Sequence, residues 1–296
     1  MRAAIDLGSN SVLLTVLDDT GAVQHDESRV VGLGKGLGDG GAFANDRMEA
    51  ALVALGDYAR TATALGVSPD GVRVVATSAA RRATNAAAFI ERVASTTGLR
   101  IRVISGDEEA RLTWAGALSG LETTGTALVV DLGGGSTELA LGGTSLRWRH
   151  SYEVGSVRLT ERVLGDAIPA ASAADLAAMQ ARVEGVLASP ALPETADTVI
   201  GVAGSVTTLM ATALGQSTYD GTTVHGNRLT DGMLADFQGR ILGLDAAGRR
   251  ALFPVAPKRA DFLLAGATVL RGVLAVCGAD RMVVSDRGLR YGVLER

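Results

Sequence analysis

Cysteine is nearly absent from these 296 residues, Cys277 being the single example, which excludes an internal disulfide and any cluster of cysteine ligands. A reduced, cytoplasmic setting is the expectation. Aromatics make up only 4% of the chain while apolar residues make up 47%, so the core has to be built from Ala, Val and Leu. Lysine is scarce too: Lys35 and Lys258 are the two exceptions to a basic set otherwise made of arginine. With a net charge of -4, broad non-specific binding to nucleic acid is not expected, because that binding rests on many basic contacts to phosphates. Long hydrophobic runs are missing as well. The start, MRAAIDLGSN, turns to Gly and Ser before an apolar region of signal-peptide length can form. The longest apolar stretch, FLLAGATVLRGVLAVCGA from 262 to 279, is interrupted by Arg271 and interior glycines and reads as a buried helix, with no membrane partner expected.

Common catalytic signatures are also lacking. No G-x-S-x-G or H-E-x-x-H element occurs, and His25, His150 and His225 lie far apart, so serine-hydrolase and zinc-protease chemistry fall away. There is no G-x-x-x-x-G-K-[ST] and no dinucleotide glycine spacing.

What is present is a repeated segment. AAIDLGSNSVLL near the start and LVVDLGGGSTELALGG at 128–143 each end a short apolar run in Asp-Leu-Gly, which hints at a duplicated architecture. In the second, Thr137, Leu139 and Leu141 alternate with Glu138 and Ala140, the period of a strand, so the glycines sit at a hairpin tip. Glycine there permits positive φ and close approach to a ligand, and successive N–H groups can form an anion-binding concavity to which Ser136 and Thr137 add hydroxyls.

Strands are expected within 2–31, 71–79, 99–105, 197–202 and 281–285. Helices are expected at 45–65, 85–97, 107–119, 172–188, 205–214, 230–243, 245–252 and 258–277, with a short helix over about 286–296. The alternation indicates an α/β fold. At this length two domains are expected, and the turn-rich GLETTGT places them at 1–124 and 125–296, the terminal helix packing back on the first.

AAIDLGSNSVLL, ATSAARRATNAAAF, VISGDEEARLTWAGAL, LVVDLGGGSTEL, YEVGSVRLTER, VIGVAGSVTTL and KRADFLLAGATVLRGVL with VVSDRGLRYGVL occur in an order that resembles the exopolyphosphatase and guanosine pentaphosphate phosphohydrolase (Ppx/GppA) family, in its short, two-domain form. The resemblance implies the two-lobed actin, Hsp70 and sugar-kinase fold (ribonuclease H-like), with an active site in the interdomain cleft. It implies release of the terminal phosphate of inorganic polyphosphate or of pppGpp, aided by Mg²⁺, with Mn²⁺ as an alternative and a monovalent cation such as K⁺ as a further one. It also implies a homodimer.

By the same resemblance Glu109 and Glu138 are the catalytic carboxylates, one the general base for water and the other assisting it or holding the cation. If Ser105 caps the helix, Glu108 takes the third helical position as a capping-box partner, which leaves Glu109 for chemistry. Asp6 and Asp131, each ending the first strand of its half, are the expected Mg²⁺ ligands. The expected phosphate clamp comprises Ser9, Asn10 and Ser11 in one half and Gly133, Gly134, Gly135, Ser136 and Thr137 in the other. Gly204 and Ser205 join it at a helix N-terminus, with Arg81 for the next phosphate. Arg82, Tyr291 and Ser205 depart from the usual family pattern, which leaves substrate preference open. An ATP-dependent kinase of the same fold and a non-catalytic sensor of polyphosphate or (p)ppGpp stand as alternatives.

Overall fold

The computed structural model describes every residue except Asn10, Gly36, Gly38, Asp39, Gly40, Asp166 and Arg296. Two compact units result. The first joins Met1–Ser119 to Leu289–Arg296, and the second is Gly120–Gly288.

In the first unit, strands β1 (Arg2–Leu7), β2 (Ser11–Leu17), β3 (Val23–Val30), β4 (Val72–Ala76) and β5 (Ile101–Val103) form a sheet in the order β3-β2-β1-β4-β5. The β3-β2 and β2-β1 pairs are antiparallel, while β1-β4 and β4-β5 are parallel. Successive side chains of β1 point to opposite faces. Ala3, Ile5 and Leu7 join the cluster that packs α1 (Asn45–Ala64) and α3 (Ala86–Thr97). Ala4 joins a second cluster with Leu112 of α4 (Gly106–Leu118) and Tyr291, Val293 and Leu294. The register therefore puts Asp6 on the α4 face. Helix α2 (Ser78–Arg82) follows β4 directly, where the sequence suggested that the strand ran on to 79.

The last helix described, α12 (Leu289–Leu294), is shorter than the 286–296 expected and belongs to the first unit. Arg2 and Arg73 donate to the carbonyls of Leu294 and Val293 at 2.7 and 2.6 Å, and Arg290 donates to Leu14 O and to Asp26. Gly292 packs so closely on the Leu112 carbonyl that a Cβ could not be accommodated.

The second unit repeats the plan. Strands β6 (Ala127–Leu132), β7 (Thr137–Gly142), β8 (Leu146–Tyr152), β9 (Thr198–Val202), β10 (Arg228–Thr230) and β11 (Arg281–Val284) are ordered β10-β11-β9-β6-β7-β8. Read from β8 inward, two antiparallel pairs are followed by two parallel ones, as in the first unit, and β10 adds an antiparallel edge. This duplicated strand order is that of the actin-like, ribonuclease H-like α/β fold. Helices α5 (Ser156–Leu164), α6 (Ala173–Leu187), α7 (Gly204–Ala213), α8 (Gly221–Val224), α9 (Asp231–Ile241), α10 (Ala246–Leu252) and α11 (Leu263–Cys277) complete the unit.

The segment Ala260–Cys277 is long and apolar enough to cross a membrane, but most of α11 is buried against α6 and α9 as a core helix. Arg249 on α10, only 4% exposed at its side chain, donates to Asp261 and to the carbonyls of Ile168, Pro169 and Leu244, so one guanidinium holds the chain leading into α6.

Candidate active site

The two Asp-Leu-Gly segments fold into matching hairpin tips. Gly8 N–H donates to Ser11 O at 3.0 Å and Gly133 N–H to Ser136 O at 3.0 Å. A Cβ on either glycine would lie 3.1 Å from the carbonyl it bonds. Superposing the registers aligns Asp6 with Asp131, Ser11 with Ser136, and Leu13 with Glu138, since Asp6 opposes Leu13 and Asp131 opposes Glu138. The duplication carries a carboxylate at the last position only in the second hairpin.

In that hairpin the loop is bare for a steric reason. None of Gly133, Gly134 and Gly135 adopts positive φ, so the conformational freedom expected from the sequence is not what the loop uses. Instead the start of α5 sits against it. Ser156 N–H donates to Gly133 O at 3.0 Å, and Val157 and Arg158 N–H donate to Gly134 O at 2.9 and 3.0 Å. A Cβ on Gly134 would meet the Val157 side chain at 3.1 Å, and one on Gly155 would come within 2.5 Å of Gly134 O. With the loop carbonyls turned to α5, the N–H groups of Gly134, Gly135 and Ser136 donate to no partner among the described residues, the arrangement of an anion-binding concavity. Helix α5 and Gly155 escaped the sequence reading because no side chain caps that helix; its N-terminus is satisfied by the loop.

Gly155→Ala is accordingly expected to displace the loop. Phosphate release should fall by about 10-fold or more, with a stability loss of about 1–3 kcal/mol from overpacking. Steady-state rates and a thermal melt check both, and an unaltered rate would show that the loop tolerates the shift.

Two hydroxyls assigned to phosphate are engaged elsewhere. Thr137 is fully buried and donates to Val154 O at 2.5 Å, so its role is to fix the hairpin. Ser136 Oγ donates to Glu138 Oε1 at 2.6 Å, leaving the Ser136 backbone N–H for an anion. Glu138 Oε1 accepts a second hydroxyl, from Ser151 on β8 at 2.8 Å. Ser151 lies directly opposite Glu138 in the register.

At the third loop, Gly204 and Ser205 begin α7, with Ala203 before them in a positive-φ conformation (φ 72°, ψ 171°). Ser205 is buried with its side chain beside Gly266 of α11, so it too offers an N–H at the helix end. The Arg259 guanidinium lies over Gly204, where it fills the space a Cβ would take; the sequence reading had not singled it out.

In the first unit, Ser9 follows β1, and its carbonyl accepts from Gly34 N–H at 2.6 Å; Ser11 opens β2. Asn10 lies outside the described residues. Ser105 caps α4, accepting from Glu108 N–H at 3.1 Å, and the Glu108 carboxylate reaches Arg102 at 2.7 Å. One residue on, Glu109 Oε2 pairs with Arg81 Nη1 at 2.8 Å, and the same Nη1 donates to Ile104 O. Both side chains are about 30% exposed, so the pair orients more than it stabilises.

Asp6 is half-buried as a residue, yet its Oδ1 is fully shielded and has no hydrogen-bond partner among the described residues. Burial pushes this carboxyl up to about 7, with the Arg290 guanidinium pulling it back and Glu109 adding to the rise. No group of three or more His, Cys, Asp or Glu is placed to hold a metal among the described residues. Mg²⁺ is commonly held by one or two carboxylates and its own waters, so the Asp6 carboxyl is a donor of the right chemistry, although its shielded Oδ1 leaves Oδ2 as the oxygen such an ion would reach. Asp131, opposite Glu138 in the register, is the equivalent position in the second unit.

Because its pKa is raised, Asp6 contributes stability that is fully present below about 3.8 and lost as pH rises through about 7. The loss amounts to at most about 4 kcal/mol. In EDTA, Asp6→Asn should lack this decline and be more stable than the parent at pH 8. Urea midpoints at pH 4, 6 and 8 measure it, and parallel curves for the two proteins would contradict it.

Against this geometry, a family model for the Ppx/GppA phosphatase family matches residues 18–296. The chain belongs to the Ppx/GppA phosphatase family. Among relatives in this family, Exopolyphosphatase 2 of Mycobacterium tuberculosis is 36% identical over 310 residues, covering 98% of this chain and 96% of that protein. A solved structure of the Aquifex aeolicus Ppx/GppA phosphatase, a type II variant, superposes with a TM-score of 0.87 at 32% identity, covering 99% of this chain and 97% of that one. An exopolyphosphatase from Cytophaga hutchinsonii, at 24% identity and TM-score 0.80 over 99% of this chain and 96% of that one, shares the fold. As a member of the Ppx/GppA phosphatase family the chain is a hydrolase.

Proposed function

We propose that this phosphatase is an exopolyphosphatase, releasing orthophosphate by hydrolysis of the terminal phosphoanhydride of inorganic polyphosphate. The observation that carries the reading is Glu138: a carboxylate held by Ser136 and Ser151 beside a loop whose Gly134, Gly135 and Ser136 amides have no partner among the described residues. The likeness to a curated exopolyphosphatase at 36% identity supports the substrate class.

Phosphoryl transfer asks a protein for charge neutralisation and alignment more than for covalent chemistry. The loop amides supply fixed donors for phosphoryl oxygens at no reorganisation cost. Glu138 removes the proton from the attacking water. Glu109, kept in place by Arg81, is the second carboxylate of the proposal, and Arg81 keeps further N–H donors for phosphate oxygens. The backbone N–H groups of Gly204 and Ser205, with Arg259 alongside, offer another anionic position. Asp6 of the first unit and Asp131 of the second are each the carboxylate its own unit would offer to Mg²⁺, which when bound supplies positive charge against phosphate oxygens.

The purified protein, incubated with Mg²⁺ and separately with long-chain polyphosphate, pppGpp and ATP, tests this by the orthophosphate released. Release should be fastest from polyphosphate. Release from pppGpp alone would reassign the enzyme to pentaphosphate hydrolysis, and release from none would reject the reading.

A further inference from the structure

Ser151 stands outside every glycine loop and belongs to an edge strand, yet it completes the environment of Glu138. Three side chains meet on one face of the β7-β8 pair. Ser136 is two residues before Glu138, so both project to the same side, and Ser151 is the cross-strand partner of Glu138. Their hydroxyls converge on a single atom: Ser136 Oγ to Oε1 at 2.6 Å and Ser151 Oγ to Oε1 at 2.8 Å.

A carboxylate oxygen has two lone-pair directions, so two donated hydrogen bonds saturate Oε1. Oε2 has no partner among the described residues and remains the one oxygen able to take a proton. The terminal torsion of glutamate is broad and nearly two-fold, so an untethered carboxylate would exchange its oxygens and sample many planes. One hydroxyl can swing with the carboxylate it bonds. Two, one fixed in the glycine loop and one on β8, define its plane.

We propose that Ser151 is a positioning residue for the hydrolysis, acting with Ser136 to hold Glu138 in the single orientation that leaves Oε2 open to the attacking water. This rests on the reading of Glu138 as the base. It does not require Ser151 to touch substrate, and it predicts that the effect falls on turnover and not on substrate capture.

The test is a set of variants assayed on long-chain polyphosphate and on pppGpp with Mg²⁺, each checked by circular dichroism and thermal melting. Ser151→Ala should lower kcat about 10-fold with KM within twofold of the parent. Ser151→Thr, which restores a hydroxyl at a strand position that favours Thr, should recover at least half of the rate. In a Glu138→Gln background Ser151→Ala should have no further effect, because the residue through which it acts is already disabled.

An unchanged kcat, a change confined to KM, a failed Thr rescue in a folded protein, or a full additional loss on top of Glu138→Gln would each overturn the inference. The two levels separate cleanly. Glu138→Gln at the parental rate would sink the reading of Glu138 and the inference with it. A crippled Glu138→Gln beside a fully active Ser151→Ala would sink only the inference. If neither substrate releases phosphate, both fall.

Discussion

Glu138→Gln lowers kcat for phosphate release by about 10²-fold or more, the scale associated with loss of a general base, while polyphosphate binding persists. The exchange is nearly isosteric, and the amide oxygen of Gln can still accept from Ser136 and Ser151, so the hairpin should keep its shape. What is lost is the ability to take a proton at Oε2. Binding isotherms and single-turnover phosphate release separate the two effects. A parental rate would remove Glu138 from the mechanism, and a collapse of binding with intact turnover would make it a substrate contact.

The second large effect is structural. Arg249→Ala should destabilise the second unit by about 3–5 kcal/mol, because the guanidinium is buried and its removal strands Asp261 together with three carbonyls. Arg249→Lys should recover only part of the loss, since an ammonium cannot reproduce a planar fork that serves several acceptors. Urea unfolding followed by far-UV circular dichroism reads it out; the midpoint assigned to the second unit should fall while that of the first stays in place. Equal stability of parent and Ala variant would mean that water replaces the guanidinium at no cost.

The parts of this molecule legible in the sequence were those governed by local rules. Alternation of Thr137, Leu139 and Leu141 with Glu138 and Ala140 identified a strand, and Leu139 and Leu141 do face the core, although Ala140 is buried as well and only Glu138 stays partly exposed. Ser105 announced the start of α4, because a hydroxyl at that position meets an exposed backbone N–H whatever surrounds it. The repeated Asp-Leu-Gly announced two sheets of one plan.

Illegible were the features made by distant partners. Whether a serine hydroxyl in a glycine loop serves a ligand or a neighbouring carboxylate depends on what lies across the sheet, and Ser151 is reached only through the β7-β8 register. Helix α5 starts at a glycine with no capping side chain, so local pattern gives no signal; the acceptors for its first N–H groups lie some twenty residues upstream in the glycine loop. β10, three residues long, is held as a strand by β11 alone and offers too short a run to show a period. The fate of Thr137 follows the same logic, since its acceptor Val154 lies beyond a strand that the sequence did not make plain.

The return of α12 to the first unit has a consequence for biosynthesis. The second unit is one uninterrupted stretch, Gly120–Gly288, and can finish folding once it has left the ribosome. The first unit, although translated earlier, waits for residues 289 onward, whose Tyr291, Val293 and Leu294 fill the pocket beneath Ala4, Val75 and Leu112. The half that carries Asp6, Arg81 and Glu109 therefore cannot complete this cluster until the whole of the second unit has been translated.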